Sequence, residues 1–163
     1  YLNEIVLAKN TLPKSFSTQN IFLSLFISEI ISKVLYDSIS EKELFQFIWE
    51  TKKTLIKNKK IDANYPLYFL LCLSDFLGFY PSLETVKDPY FDLNSGEFVC
   101  KKSDTVISAE ESLSLKGFLK NPAKKIPYKK RKSLLQVIIR YYSFQNHEIK
   151  NLNSHIIIES LRS

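Results

Sequence analysis

From Thr18 to Leu35 the apolar side chains return every three or four positions: Ile21, Phe22, Leu25, Phe26, Ile30, Val34 and Leu35, with Leu23, Ile27 and Ile31 between them. That is the period of an α-helix, and a stripe this wide predicts a helix buried on most sides. Such a helix must be covered by partners, so the chain is expected to fold around it as a compact helical domain.

The rest of the sequence supplies those partners in order. Ser40, Glu41, Lys42 and Glu43 have the form of a capping box, in which hydroxyl and carboxylate each satisfy an orphan amide. A helix follows to about Asn58, with Leu44, Ile48, Leu55 and Phe45, Trp49, Ile56 on one face. Asn64 and Pro66 open a third helix, with Leu67, Leu70, Leu71, Cys72 and Leu77, and Gly78 stands where a left-handed terminal residue is wanted. Tyr90 to Leu93 and Glu97 to Val99 read as two short strands about a turn holding Asn94, Ser95 and Gly96. A lone hairpin is marginal in water, so it must lie on the helices. Ser108 and Glu111 form a second capping box before Leu113, Leu115, Phe118 and Leu119, and Asn121 with Pro122 ends that helix. Pro127 suits the first turn of another, carrying Leu134, Leu135, Ile138, Ile139 and Tyr142. A sixth helix is expected from Leu152 to Leu161. The expected class is therefore all-α, with about six helices and one small hairpin, and residues 1–15 read as a strand remnant or linker ahead of a domain at 16–163.

Composition narrows the function. At 163 residues, 45% hydrophobic, with 12 Phe and 9 Tyr against 3 Gly and 6 Pro, the chain can fill a core and is neither a disordered tail nor a fibre. No apolar run reaches the ~20 residues of a membrane span. Cys72 and Cys100 are too few for a disulfide scaffold and suit a reducing, cytoplasmic compartment. The sequence opens at Tyr1 and contains no Met, which reads as a piece of a longer protein. His147 and His155 lie in an Asn- and Ser-rich segment without a nucleophile beside them, and neither they nor the cysteines have the paired spacing of a metal site. Gly78, Gly96 and Gly117 make no phosphate loop. No enzyme, metal or cofactor is expected.

The net charge is +6, but a Lys-, Asn- and Ile-rich bias is also what an AT-rich genome produces. Placement says more. Lys120, Lys124, Lys125, Lys129, Lys130, Arg131 and Lys132 form a run with no acidic residue, and its last four members fall in the opening turn of a helix. Cations there oppose the macrodipole, losing roughly 0.3–1 kcal/mol each, so stability alone would not favour them. With free helix amides, Lys124, Lys125, Lys129, Lys130, Arg131 and Lys132 make a candidate site for phosphate or an acidic peptide, against the plainer reading of a solvated lysine-rich loop. A secondary basic group, Lys52, Lys53, Lys57, Lys59 and Lys60, sits at a helix C-terminus, where the dipole already accounts for it.

Leu70 to Leu83 (LLCLSDFLGFYPSL), Tyr90 to Val99 (YFDLNSGEFV) and Leu35 to Ile48 (LYDSISEKELFQFI) resemble the C-terminal helical domain of the DNA repair protein RecO, in its Bacteroidetes-like form, and the resemblance covers most of Thr18 to Tyr142. It implies a recombination mediator that binds single- and double-stranded DNA, anneals strands, and loads RecA together with RecR and single-stranded-DNA-binding protein. It implies no enzyme. The family's N-terminal OB-fold is missing here, and Tyr1 to Ser15 would be its trailing remnant. The family's helical domain contributes to DNA binding and, in some members, receives the acidic-hydrophobic tail of single-stranded-DNA-binding protein. The four-cysteine zinc site of some members cannot be built from Cys72 and Cys100. Gly78, Phe79, Tyr80, Pro81 and Trp49 read as core and helix-stop residues. The competing expectation is a helical docking module that binds only protein.

Overall fold

The computed structural model describes residues 17–35, 42–58 and 60–147, together with Ile149 and Leu152. The expected N-terminal strand remnant, the Ser40 cap, Lys59, His155 and the expected sixth helix lie outside the described residues. Within them the chain forms α1 (Thr18–Val34), α2 (Lys42–Lys57), α3 (Tyr65–Phe76), a hairpin of β1 (Tyr90–Asp92) and β2 (Glu97–Val99), α4 (Ala109–Lys120) and α5 (Tyr128–Phe144). This is the expected helical class with its single hairpin.

Local chemistry sets the boundaries. The Ser17 hydroxyl accepts the Asn20 amide at 3.1 Å and starts α1. At α4 both arms of the capping box are made: Ser108 Oγ accepts the Glu111 amide at 3.2 Å, and the Glu111 carboxylate accepts the Ser108 amide at 3.1 Å. After α3, Gly78 takes φ +80°, and the Phe79 amide returns to the Ser74 carbonyl. The hairpin pairs Tyr90 with Val99, Phe91 with Phe98 and Asp92 with Glu97. Phe91 and Phe98 face inward, and the buried Ser112 hydroxyl of α4 accepts the Phe91 amide at 2.9 Å, which fixes the hairpin to the helices.

Helix α3 packs on α5, α5 on α4, α4 on β1, and α1 on α2. The core joins Phe26 and Ile30 of α1, Leu67, Leu70 and Leu73 of α3, the two hairpin phenylalanines, Phe118 of α4 and Tyr142 of α5. The expected centre is therefore displaced. Helix α1 is not enclosed: it buries Leu23, Phe26, Ile27, Ile30 and Val34, while Ile21 and Leu25 are exposed. Its buried polar residue Asn20 explains the rotation, because Asn20 Nδ2 donates to the carbonyls of Leu55 at 2.9 Å and Asn58 at 2.6 Å. Those are carbonyls at the end of α2 that the helix itself leaves unpaired.

Other apolar residues also stand outside their expected places. Phe45 is exposed and stacks on a half-buried Trp49 with centroids 6.3 Å apart, so the tryptophan is not a core residue. Tyr80 and Leu113 are exposed, whereas Phe79 and Pro81 pack inward as expected. Pro127 caps α5 from outside, one position before the first turn expected for it. No described helix is long and apolar enough to cross a membrane.

Candidate functional site

The acid-free basic run occupies the end of α4, the connection at 121–127 and the first turns of α5. Two buried side chains hold that connection by its carbonyls. Asn64, 4% exposed, donates Nδ2 to the carbonyls of Pro122 at 3.2 Å and Lys124 at 2.9 Å. Arg131, 7% exposed, donates Nη1 to the Ile126 carbonyl at 2.6 Å. The expected guanidinium fork for an incoming anion is thus turned inward, where it secures the loop. The run's other cations divide by exposure: Lys120, Lys124, Lys125, Lys129 and Lys130 are exposed and Lys132 is half-buried.

The fold also joins two basic groups that are far apart in sequence. A cleft of about 670 Å³ lies between the start of α1, the α2–α3 connection and the start of α5, and its lining includes Gln19, Lys60, Asp62, Lys125, Ile126 and Arg131. Lys60 comes from the secondary group and Lys125 from the main run. The first turn of α5 carries no acidic residue, and its cap Pro127 supplies no side-chain hydrogen bond. Helix amides and lysine ammonium groups therefore favour an anion at the same place. The other described members of the secondary group do not line that cleft. Lys52 and Lys53 lie 4.9 and 5.9 Å from the centre of the Trp49 ring, and Lys53 pairs with Glu50 at 2.6 Å. Lys57 is exposed at the end of α2.

A second, mainly apolar cleft of about 250 Å³ shares Lys125, Ile126 and Pro127 with the first and continues over α4. Leu113, Phe118 and Leu134 contribute its apolar surface, and Lys124, Lys125 and Lys130 stand along it, with Glu110 the one carboxylate in its lining. An apolar slot edged by ammonium groups can take a peptide that is apolar at one point and acidic around it.

A hydrogen bond to Asp88 raises the Cys100 thiol, and burial raises that of Cys72, so both favour the protonated, unreactive form. Among the described residues no three His, Cys, Asp or Glu side chains gather as metal ligands. Reasoning from sequence placed Asn64 only at the start of α3 and missed both its hold on the α4–α5 connection and the approach of Lys60 to Lys125. Asn64 meets partners 58 and 60 residues away, and no local pattern announces such a pairing.

No protein-family model and no solved structure matches the chain. Named proteins do. The chain is 32% identical over 156 residues to the DNA repair protein RecO of Flavobacterium johnsoniae, which covers 89% of this chain and 65% of that protein. To the DNA repair protein RecO of Azobacteroides pseudotrichonymphae it is 29% identical, over 85% of this chain and 61% of the relative. To that of Flavobacterium psychrophilum it is 25% identical, over 85% of this chain and 60% of the relative. The chain thus spans less than two thirds of the length of these relatives, and the match fits the C-terminal helical domain of RecO.

Proposed function

We propose that this RecO-type helical domain acts in DNA repair and recombination as a binding element, with the basic surface around the start of α5 receiving nucleic-acid phosphate. The observation that carries this reading is the convergence of Lys60 with Lys124, Lys125 and Lys130 about one helix start, in a chain matching RecO over most of its length. Lysine binds phosphate as a point charge, and the one arginine of the site is engaged with Ile126, so contact is to backbone rather than to base edges. Both single- and double-stranded DNA are then ligands, and strand annealing and RecA loading with RecR are the processes served. The domain holds and positions; it carries out no bond chemistry.

The apolar cleft favours a second role at the same rim. Its Leu113, Phe118 and Leu134 surface beside Lys124 and Lys130 suits the acidic-hydrophobic tail of single-stranded-DNA-binding protein. The rival reading, a docking module with no DNA contact, would keep that cleft and leave the first one idle.

Fluorescence anisotropy of a labelled oligonucleotide at several salt concentrations decides between them. Contact with Z phosphates on a single strand gives a log–log salt slope of about −0.7Z. The informative variant changes Lys125, Lys129, Lys130 and Lys132 to Ala and leaves the buried Arg131 in place, so that charge is lost and the loop is kept. A shallower slope with weaker binding supports the reading. Salt-insensitive binding, or none at low salt, makes the domain a protein-docking platform.

A further inference from the structure

We propose that Tyr65 and Tyr68 form a base-stacking end to the basic cleft, so that this surface takes an unpaired nucleic-acid strand in preference to a duplex. This rests on the phosphate-binding reading above and adds to it the residues that would tell one strand from two. A third cleft, of about 490 Å³, lies on the other side of Asn64 and is lined by Tyr65, Tyr68, Lys120, Asn121 and Pro122 among others. Asp62 and Asn64 border both this cleft and the 670 Å³ one. The three depressions therefore run consecutively around the α4–α5 connection, with cations in each: Lys120 in the third, Lys60 and Lys125 in the first, Lys124 and Lys130 in the second.

The exposed aromatic surface of this track lies at one end, Phe118 of the second cleft being buried. Tyr65 and Tyr68 lie on the first turn of α3 with ring centroids 6.3 Å apart, and Tyr68 is 48% exposed. Tyr65 is half-buried against the core, so the pair offers one anchored ring beside one exposed face. A tyrosine ring has only two side-chain torsions and loses little freedom when a ligand lands on it. A groove of cations that follows the backbone, ending on aromatic faces, is the combination that binds unpaired strands without regard to sequence. A duplex keeps its base faces stacked inside and can use only the cations. A purely acidic peptide has no planar group for the tyrosines.

Asp62 is the sole carboxylate among the described residues lining these two clefts, and its Oδ1 accepts the Asn64 amide at 2.8 Å. It stands where phosphates would pass from one cleft to the next. Asp62→Asn keeps the acceptor and removes the charge, so it should tighten binding of single strand and duplex alike.

The test measures anisotropy of a labelled oligothymidylate and of a labelled duplex with the wild-type chain, Tyr68→Ala and Tyr68→Phe, with thermal melts showing that each variant folds. Stacking of one base on an aromatic ring predicts that Tyr68→Ala weakens single-strand binding at least about fivefold. Duplex binding and the salt slope should not change, and Tyr68→Phe should bind like wild type. Wild-type single-strand affinity for Tyr68→Ala, an equal loss on duplex, or failure of Tyr68→Phe overturns the proposal. The two readings separate in the same experiment. Salt-dependent binding that ignores Tyr68 refutes the stacking end alone, whereas absence of salt-dependent binding in the wild type refutes both.

Discussion

Asn64 is where the stability of the fold and the shape of the site depend on one side chain, and Asn64→Ala separates them from everything around. The substitution removes two donors and leaves the carbonyls of Pro122 and Lys124 without their partner. A hydrogen bond of this kind is worth about 1 kcal/mol net, so the pair amounts to about 2 kcal/mol. For a chain of this length each kcal/mol shifts the melting temperature by about 2–4 °C, which predicts a fall of about 4–8 °C by calorimetry or circular dichroism. Asn64→Asp should do worse at neutral pH, because an acceptor then faces two acceptors in a buried place. Part of that deficit relative to Asn64→Ala should return in acid, where the protonated carboxyl regains one donor. Oligonucleotide binding should weaken in both variants, since the loop bearing Lys124 and Lys125 loses its anchor. A melting shift under about 1 °C for Asn64→Ala would refute the argument that these contacts hold the loop.

Three further outcomes are expected. Gly96→Ala should destabilise by more than the ~1–2 kcal/mol of a left-handed alanine, because φ is +71° and the new methyl would overlap the Tyr141 hydroxyl; Tyr141→Phe should relieve part of this, measured as a double-mutant coupling in urea unfolding. Burial pushes the Tyr141 hydroxyl up to about 12 and that of Tyr142 higher still, so both favour the neutral form in the folded chain. Their contribution is complete below the unfolded value near 10 and is lost progressively as pH rises above it, through about 12 for Tyr141 and beyond for Tyr142. Tyr142→Phe, which gives up a 2.5 Å bond to the Leu70 carbonyl, should therefore cost about 1–2 kcal/mol at pH 7 and flatten the alkaline slope. Burial lowers His147, whose ring stacks on Phe79 at 5.2 Å, so its contribution is complete above about pH 6.5 and is lost as pH falls; His147→Gln should flatten the acid side of the stability profile.

What could be read from the residues was what neighbours in sequence decide. Ser108 and Glu111 sit three apart and cap each other, Gly78 and Gly96 take the positive φ their turns require, and Asn94 to Gly96 close the hairpin. What could not be read was which side of a helix its partners choose. Ile21 and Leu25 fit a helical stripe, yet the need of α2 for donors at its end turns Asn20 inward and those two outward. Leu113 and Phe45 likewise match apolar spacing and are exposed. For the site, the charge run was visible, but periodicity gave no means of telling Arg131, a buried brace, from Lys129 and Lys130 beside it. Lys60 could only be seen as the end of α2, because its nearness to Lys125 exists solely in the folded chain.

The seam occupied by the first cleft has a consequence for how the molecule comes apart. Helices α1 and α2 pack on each other, α3, α4, α5 and the hairpin form the other group, and Phe47 of α2 reaches across to Phe69 and Phe76 of α3. Gln19 and Lys60 line the cleft from the first group or its edge, and Lys125 and Arg131 from the second. An anion seated there would link the two groups, and its binding free energy would add to the cost of any local opening along that seam. Trp49, the sole tryptophan, belongs to α2 and so reports one unit only. In the free chain its fluorescence can be lost before helical ellipticity; with the cleft filled, the two signals should melt together.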